Sequence, residues 1–141
     1  MNLDLLSLET ALRGASIVQL IVAALNLCLV RFMGWQDDLA KLPLLPREVF
    51  HVHSWFISLT LTIFAALTWR FAGEMAGGAS PIARWICGAI GIFWAFRAVL
   101  QWSYYSHEHW RGRLTPVALH WLLFLSYGGF AAVYLWTGFQ P

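Results

Sequence analysis

The chain has 141 residues, of which 60% are hydrophobic and 11% are charged. A soluble domain carries about 25% charged residues, and so short a chain has too little core to hide this much apolar surface, which excludes an ordinary water-soluble domain. Nine basic against seven acidic residues leave a net charge of +2. With no basic block, a nucleic-acid partner is excluded. Nine Trp and ten Phe exclude disorder, and two cysteines exclude a disulfide scaffold. The composition is that of a polytopic membrane protein whose first partner is the lipid bilayer.

The opening MNLDLLSLET lacks a basic stretch and carries Asp4 and Glu9, so no cleaved signal is expected. Residues 1–14 read as an amphipathic lead-in at the interface, and residues 15–141 as a single domain of four transmembrane helices. A span needs about 20 mostly apolar residues. Four stretches qualify: 15–33, 50–69, 82–105 and 117–139. Gln19, Asn26 and Arg31 interrupt the first, and Gly34 closes it. Pro46 precedes the second, which Arg70 stops. Gly77, Gly78 and Pro81 punctuate the loop before the third, which holds Arg84 at its start and Arg97 deeper in. Thr115 is a suitable N-cap and Pro116 suits a first helical turn, so together they open the fourth. Trp35, Trp69, Trp85, Trp102, Trp110 and Trp136 fall near span ends, as an interfacial aromatic belt does.

Short connections make neighbouring helices antiparallel, so the expected fold is all-α, an integral membrane four-helix bundle running up-down-up-down. The face carrying the 34–49 and 106–115 connections holds Arg31, Lys41, Arg47, Arg111 and Arg113. The other face holds Arg13, Arg70 and Arg84. The excess of positive charge places the first face in the cytoplasm and both termini outside.

Polar groups within a span are costly and turn to the protein interior. In the first span Ser16, Gln19, Ala23 and Asn26 follow at three- and four-residue spacing, a small-polar stripe suited to helix packing. The second opens on His51 and His53, two apart and so on different helix faces. His53 is the deeper and is expected to look inward. In the third, Arg97 and Gln101 lie one turn apart, with Arg97 roughly 13 Å from the span's end. An arginine at that depth requires an acceptor, whether carbonyls, a bound anion or a carboxylate, for which Glu48 and Glu108 at the rim are within reach. In the fourth, His120, Phe124, Tyr127, Ala131 and Tyr134 share a face. Antiparallel order brings Asn26, His53, Arg97, Gln101 and His120 into one half of the membrane, with His51, His107 and His109 at its rim.

Three chemistries suit such a group. His53 and His120, on helices two and four, would be the axial ligands of a b-type haem, with Arg97 on its propionates. The histidines 51, 53, 107, 109 and 120, with Glu108, would hold a transition metal, although the longer histidine clusters of membrane hydroxylases are missing. Arg97, Gln101, Asn26 and Tyr127 would hold the carbonyl or anionic head of a lipophilic ligand such as a quinone or a fatty acid, with aromatic walls about its tail. The alternative is a structural or assembly subunit of a larger membrane complex, without a ligand, whose polar groups join helices. Other membrane subunits or a second copy of the chain are the protein partners that remain open, and no reaction is assigned.

The strings VFHVH at 49–53, FRAVLQW at 96–102 and WRGR at 110–113, followed by His120, resemble an uncharacterised family of small bacterial four-helix inner-membrane proteins with VFxVH, RxxxQ and WRG motifs. The likeness covers roughly residues 45–135. It implies an inner-membrane location and a site at His53, Arg97, Gln101, Trp110, Arg111, Gly112 and His120. The turn after WRG departs from the family's Asn-Thr pair, with Thr115 and Pro116 in this chain. The likeness implies no reaction.

Overall fold

The computed structural model describes the backbone of residues 3–78, 80–104 and 114–140, and the side chains of residues 4–78, 80–104 and 117–140. These residues form five helices: α1 (Leu3–Phe32), α2 (Gln36–Lys41), α3 (Leu44–Gly77), α4 (Pro81–Ser103) and α5 (Leu114–Phe139). There is no strand among the described residues. Four of the five, all but α2, are long and apolar enough to cross a membrane.

The boundaries differ from the sequence expectation in three physically informative ways. First, α1 has 30 residues and α3 has 34. At about 1.5 Å per residue both outrun a hydrocarbon core of roughly 30 Å. The expected lead-in from Leu3 onward is therefore continuous with the first span. Second, the segment 36–41, expected as loop, forms α2, with Asp37 and Asp38 in its first turn and Lys41 in its last, each complementing the helix dipole. Third, Pro81 opens α4 directly. The hydroxyl of Ser80 accepts from the backbone N–H of Ala83 at 3.4 Å, and proline at the first helical position has no N–H to leave unpaired. Pro116 lies in the first turn of α5, which begins earlier than expected, at Leu114; that turn has no intrahelical acceptors for its N–H groups, so proline is tolerated there.

Two glycines end helices in the left-handed conformation. Gly34 has φ +70°. Its N–H bonds to the carbonyl of Arg31 at 3.3 Å, and the N–H of Trp35 reaches back to Val30 at 2.9 Å. This double bond pattern closes α1 and needs a residue without a Cβ. Gly78, with φ +63°, ends α3 in the same conformation. Within α3, Phe71 leaves helical geometry (φ −112°, ψ 16°). The break comes one residue after Arg70, where the apolar run was expected to stop.

The chain divides into two compact units, one of Arg13–Arg70 and one of Met1–Leu12 with Phe71–Pro141. In the first unit α1 and α3 run antiparallel. Asn26 Nδ2 donates to the backbone oxygen of Ser54 and to Ser58 Oγ, both at 2.9 Å. Ser58 Oγ in turn donates to the carbonyl of Ala23 at 3.0 Å. At the other end the guanidinium of Arg13 lies 5.2 Å from the ring of Trp69. The stripe read from the sequence is present: Ser16, Gln19 and Ala23 are buried and Asn26 is half-buried. Such interhelical bonds in a membrane are worth about 0.6–1.7 kcal/mol each. Asn26→Leu is accordingly expected to lower stability by about 1–2 kcal/mol, read as a lower denaturation midpoint in detergent. An unchanged midpoint would show that the Asn26–Ser58 network does not hold these helices together.

In the second unit α4 and α5 run antiparallel. The buried residues Ala83, Cys87, Ile90, Gly91, Trp94 and Gln101 form one seam of α4, and Tyr127, Phe130, Ala131, Tyr134 and Thr137 form that of α5. Glycines let the two backbones approach. A Cβ on Gly138 would meet the backbone nitrogen of Gly88 at 2.9 Å and the carbonyl oxygen of Arg84 at 3.1 Å. One on Gly91 would meet Leu135 at 2.8 Å. Arg84 caps the end of α5, its Nε donating to the carbonyl of Gly138 at 3.3 Å and its Nη2 to that of Gln140 at 2.8 Å. The Gln140 amide then donates to Ala76 at the end of α3 at 3.0 Å.

Candidate functional site

The seam of α4 continues past Trp94 to Arg97 and Gln101, spaced by three and four residues. All three therefore face α5. Gln101 is 3% exposed. Its Nε2 lies 2.8 Å from Nδ1 of His120. In this orientation the amide nitrogen donates and Nδ1 accepts. The other end of the same amide, Oε1, is buried and has no hydrogen-bond partner among the described residues. A buried polar atom left unpaired costs about 1–3 kcal/mol, so its persistence in an apolar helix pair calls for an explanation.

Arg97 was expected to find a carboxylate, a carbonyl or a bound anion. Instead its guanidinium carbon sits 4.7 Å from the centroid of the Tyr127 ring. That ring stacks on its other neighbour, Trp94, at 5.1 Å and 23°. Trp94 also packs on Phe130 at 4.6 Å. The result is a layered column of cation, phenol and indole. A cation over an aromatic face gains about 0.5–2 kcal/mol, but the interaction engages none of the five N–H donors. Among the described residues no hydrogen bond or ion pair meets the Arg97 guanidinium. Arg97 is half-buried. Glu48, one of the two rim acids expected to reach it, is exposed on α3 in the other unit, and the other, Glu108, lies outside the described residues.

Gln101 and His120 are thus brought into contact, and Arg97 joins Tyr127 on the same hairpin. Asn26 and His53 belong to the other unit. The donors of Asn26 bond α3 there, as described. His51 and His53 are both exposed, so neither looks inward: the two-residue spacing of the HVH pair puts its members on different faces, and the buried stripe of this part of α3 runs through Ser58, Leu61 and Ala65 instead. His107 and His109, with Trp110, Arg111 and Gly112, lie outside the described residues. Among the described residues no three of His, Cys, Asp and Glu gather as a metal site requires. A metal or haem iron needs an imidazole lone pair. As held by Gln101, the His120 ring has its Nδ1 engaged by the amide, so that nitrogen is not offered to a metal or haem iron in this arrangement.

Trp94 was missed from the sequence as a site residue. The signal was present: it lies mid-span, while most other tryptophans mark span ends, and it stands three residues before Arg97 on the same face. Its 1% exposure contrasts with the exposed Trp35, Trp69, Trp85, Trp102 and Trp136, which match the interfacial belt. Arg84 was likewise read only as a loop-side charge. No family model, curated protein or solved structure matches the chain.

Proposed function

We propose that this is a multi-pass protein of a bacterial inner membrane, with four spans of alternating direction packed as a bundle, and that its α4–α5 hairpin binds the polar head of a lipophilic small molecule. Arg97 and Gln101 hold the head, and Trp94 and Tyr127 hold the arginine in place. One observation carries this: a buried amide oxygen and, one helical turn away, a guanidinium both lack a hydrogen-bond partner among the described residues. A purely structural interface has no use for either, because small residues and satisfied amides, as at Asn26 and Ser58, join helices without such unpaired groups. A bound head group would pair both. The inner-membrane location rests on the resemblance to the family with VFxVH, RxxxQ and WRG motifs. Haem and metal readings are less well supported, since the His120 ring is turned to Gln101.

The experiment is extraction of the purified protein. Chloroform–methanol extracts of the protein in mild detergent, analysed by mass spectrometry, are expected to hold one lipophilic compound at near-stoichiometric amount above the bulk lipid background. An absorption spectrum taken beforehand separates the readings. A Soret band that is lost in His120→Ala would put haem in place of this proposal. An extract with bulk lipid alone, and no chromophore or metal, would leave the structural-subunit alternative.

A further inference from the structure

The polarity of the two groups that lack a partner among the described residues narrows the head group. Arg97 can only donate, and Gln101 Oε1 can only accept. They stand four residues apart on one helix, roughly 6 Å along its axis. A molecule that pairs both must accept at one end and donate at the other. An ionised carboxylate or a phosphodiester only accepts, and would set a second negative atom against Oε1. A quinone also only accepts, through its two carbonyls. The corresponding quinol carries a hydroxyl at each end of a flat ring, each able to donate and accept, with its para oxygens separated by a comparable span. Beside Gln101 there is an aromatic rim suited to a flat ring. Trp102, 64% exposed, packs on Phe124 at 5.5 Å and meets Trp121 edge-on at 6.0 Å.

Resting on the lipophilic-ligand reading above, we infer that the hairpin selects the quinol over the quinone form of a membrane quinone, one hydroxyl donating to Gln101 Oε1 and the opposite oxygen accepting from Arg97. The selectivity comes from the buried acceptor. A quinone would place a carbonyl against Oε1, leaving both oxygens unpaired in a water-poor site, and discrimination of this kind is strong because the unpaired group belongs to the protein. No electron transfer is part of this inference; it concerns which redox form is held.

The test is calorimetric titration of the purified full-length protein in detergent with a short-tailed ubiquinol analogue, kept reduced under argon, and with its oxidised form. The quinol is expected to bind about tenfold more tightly or better. Gln101→Met removes the acceptor at similar volume and is expected to bring the two forms to within about twofold. Gln101→Leu serves the same comparison should the methionine variant not retain its helical melt. Equal affinity of both forms for the wild type would overturn the inference while leaving a lipophilic ligand in place. So would a quinol preference that survives both variants, or displacement of the quinol by diacylglycerol, which would indicate a general hydroxyl site. If neither form binds, the quinol assignment falls, and the extraction experiment separately decides whether any lipophilic ligand remains.

Discussion

Arg97→Leu is expected to weaken ligand binding by roughly a hundredfold or more while leaving the ligand-free protein as stable as the wild type or slightly more so. The two effects have opposite signs because they come from different contacts. Truncating the charged member of a buried polar contact costs about 2–5 kcal/mol of binding. Among the described residues, the guanidinium in the ligand-free hairpin meets the Tyr127 face at 4.7 Å and no hydrogen-bond acceptor. Losing that contact costs about 0.5–2 kcal/mol, whereas removing a charge from within a span, here in the last two turns of α4, relieves a cost of comparable size. The measurement pairs the ligand content of the purified variant with its thermal midpoint in the same detergent. Were the midpoint to fall sharply, Arg97 would be a structural element of the α4–α5 pair and the proposed site would lose its cation.

Gly138→Val is expected to destabilise the protein by about 3 kcal/mol, the upper end of the cost of overpacking. The Cβ it adds would already stand 2.9 Å from a backbone nitrogen and 3.1 Å from a backbone oxygen. Backbone atoms cannot rotate aside as a side-chain tip can. The helices would be forced apart where Arg84 caps α5 through the carbonyls of Gly138 and Gln140, so the cap would be strained as well. A denaturation midpoint in detergent reads the effect. A midpoint within error of the wild type would mean that α4 and α5 do not approach this closely in the membrane.

Much of this was legible in the sequence because it follows from local periodicity. Long, mostly apolar runs gave the four spans, the Ser16–Gln19–Ala23–Asn26 spacing gave a buried face, and the one-turn separation of Arg97 and Gln101 put them side by side. What was not legible depends on the register of one helix against another. Arg97 was expected to seek an acid or a carbonyl; that it meets Tyr127 depends on how far α4 slides along α5, and Gly88, Gly91 and Gly138 set that at the far end of the hairpin. The partner of Asn26 is hidden for the same reason, since nothing in the first span points to Ser58. His53 failed as an inward-facing residue because a spacing of two leaves the inward direction undetermined. The extension of α1 and α3 beyond the apolar runs was missed because helical structure need not stop where hydropathy does.

The column of Arg97, Tyr127 and Trp94 has a consequence for how the chain is made. A helix that carries an arginine within its apolar length, as α4 does in its last two turns, partitions less readily from the translocon into lipid as a single segment. The aromatic face that shelters the Arg97 cation belongs to α5, which leaves the ribosome later. α4 is therefore expected to linger at the translocon until α5 arrives, and the two to enter the bilayer together as a preformed hairpin, whereas α1, whose buried polar groups are uncharged, can enter alone.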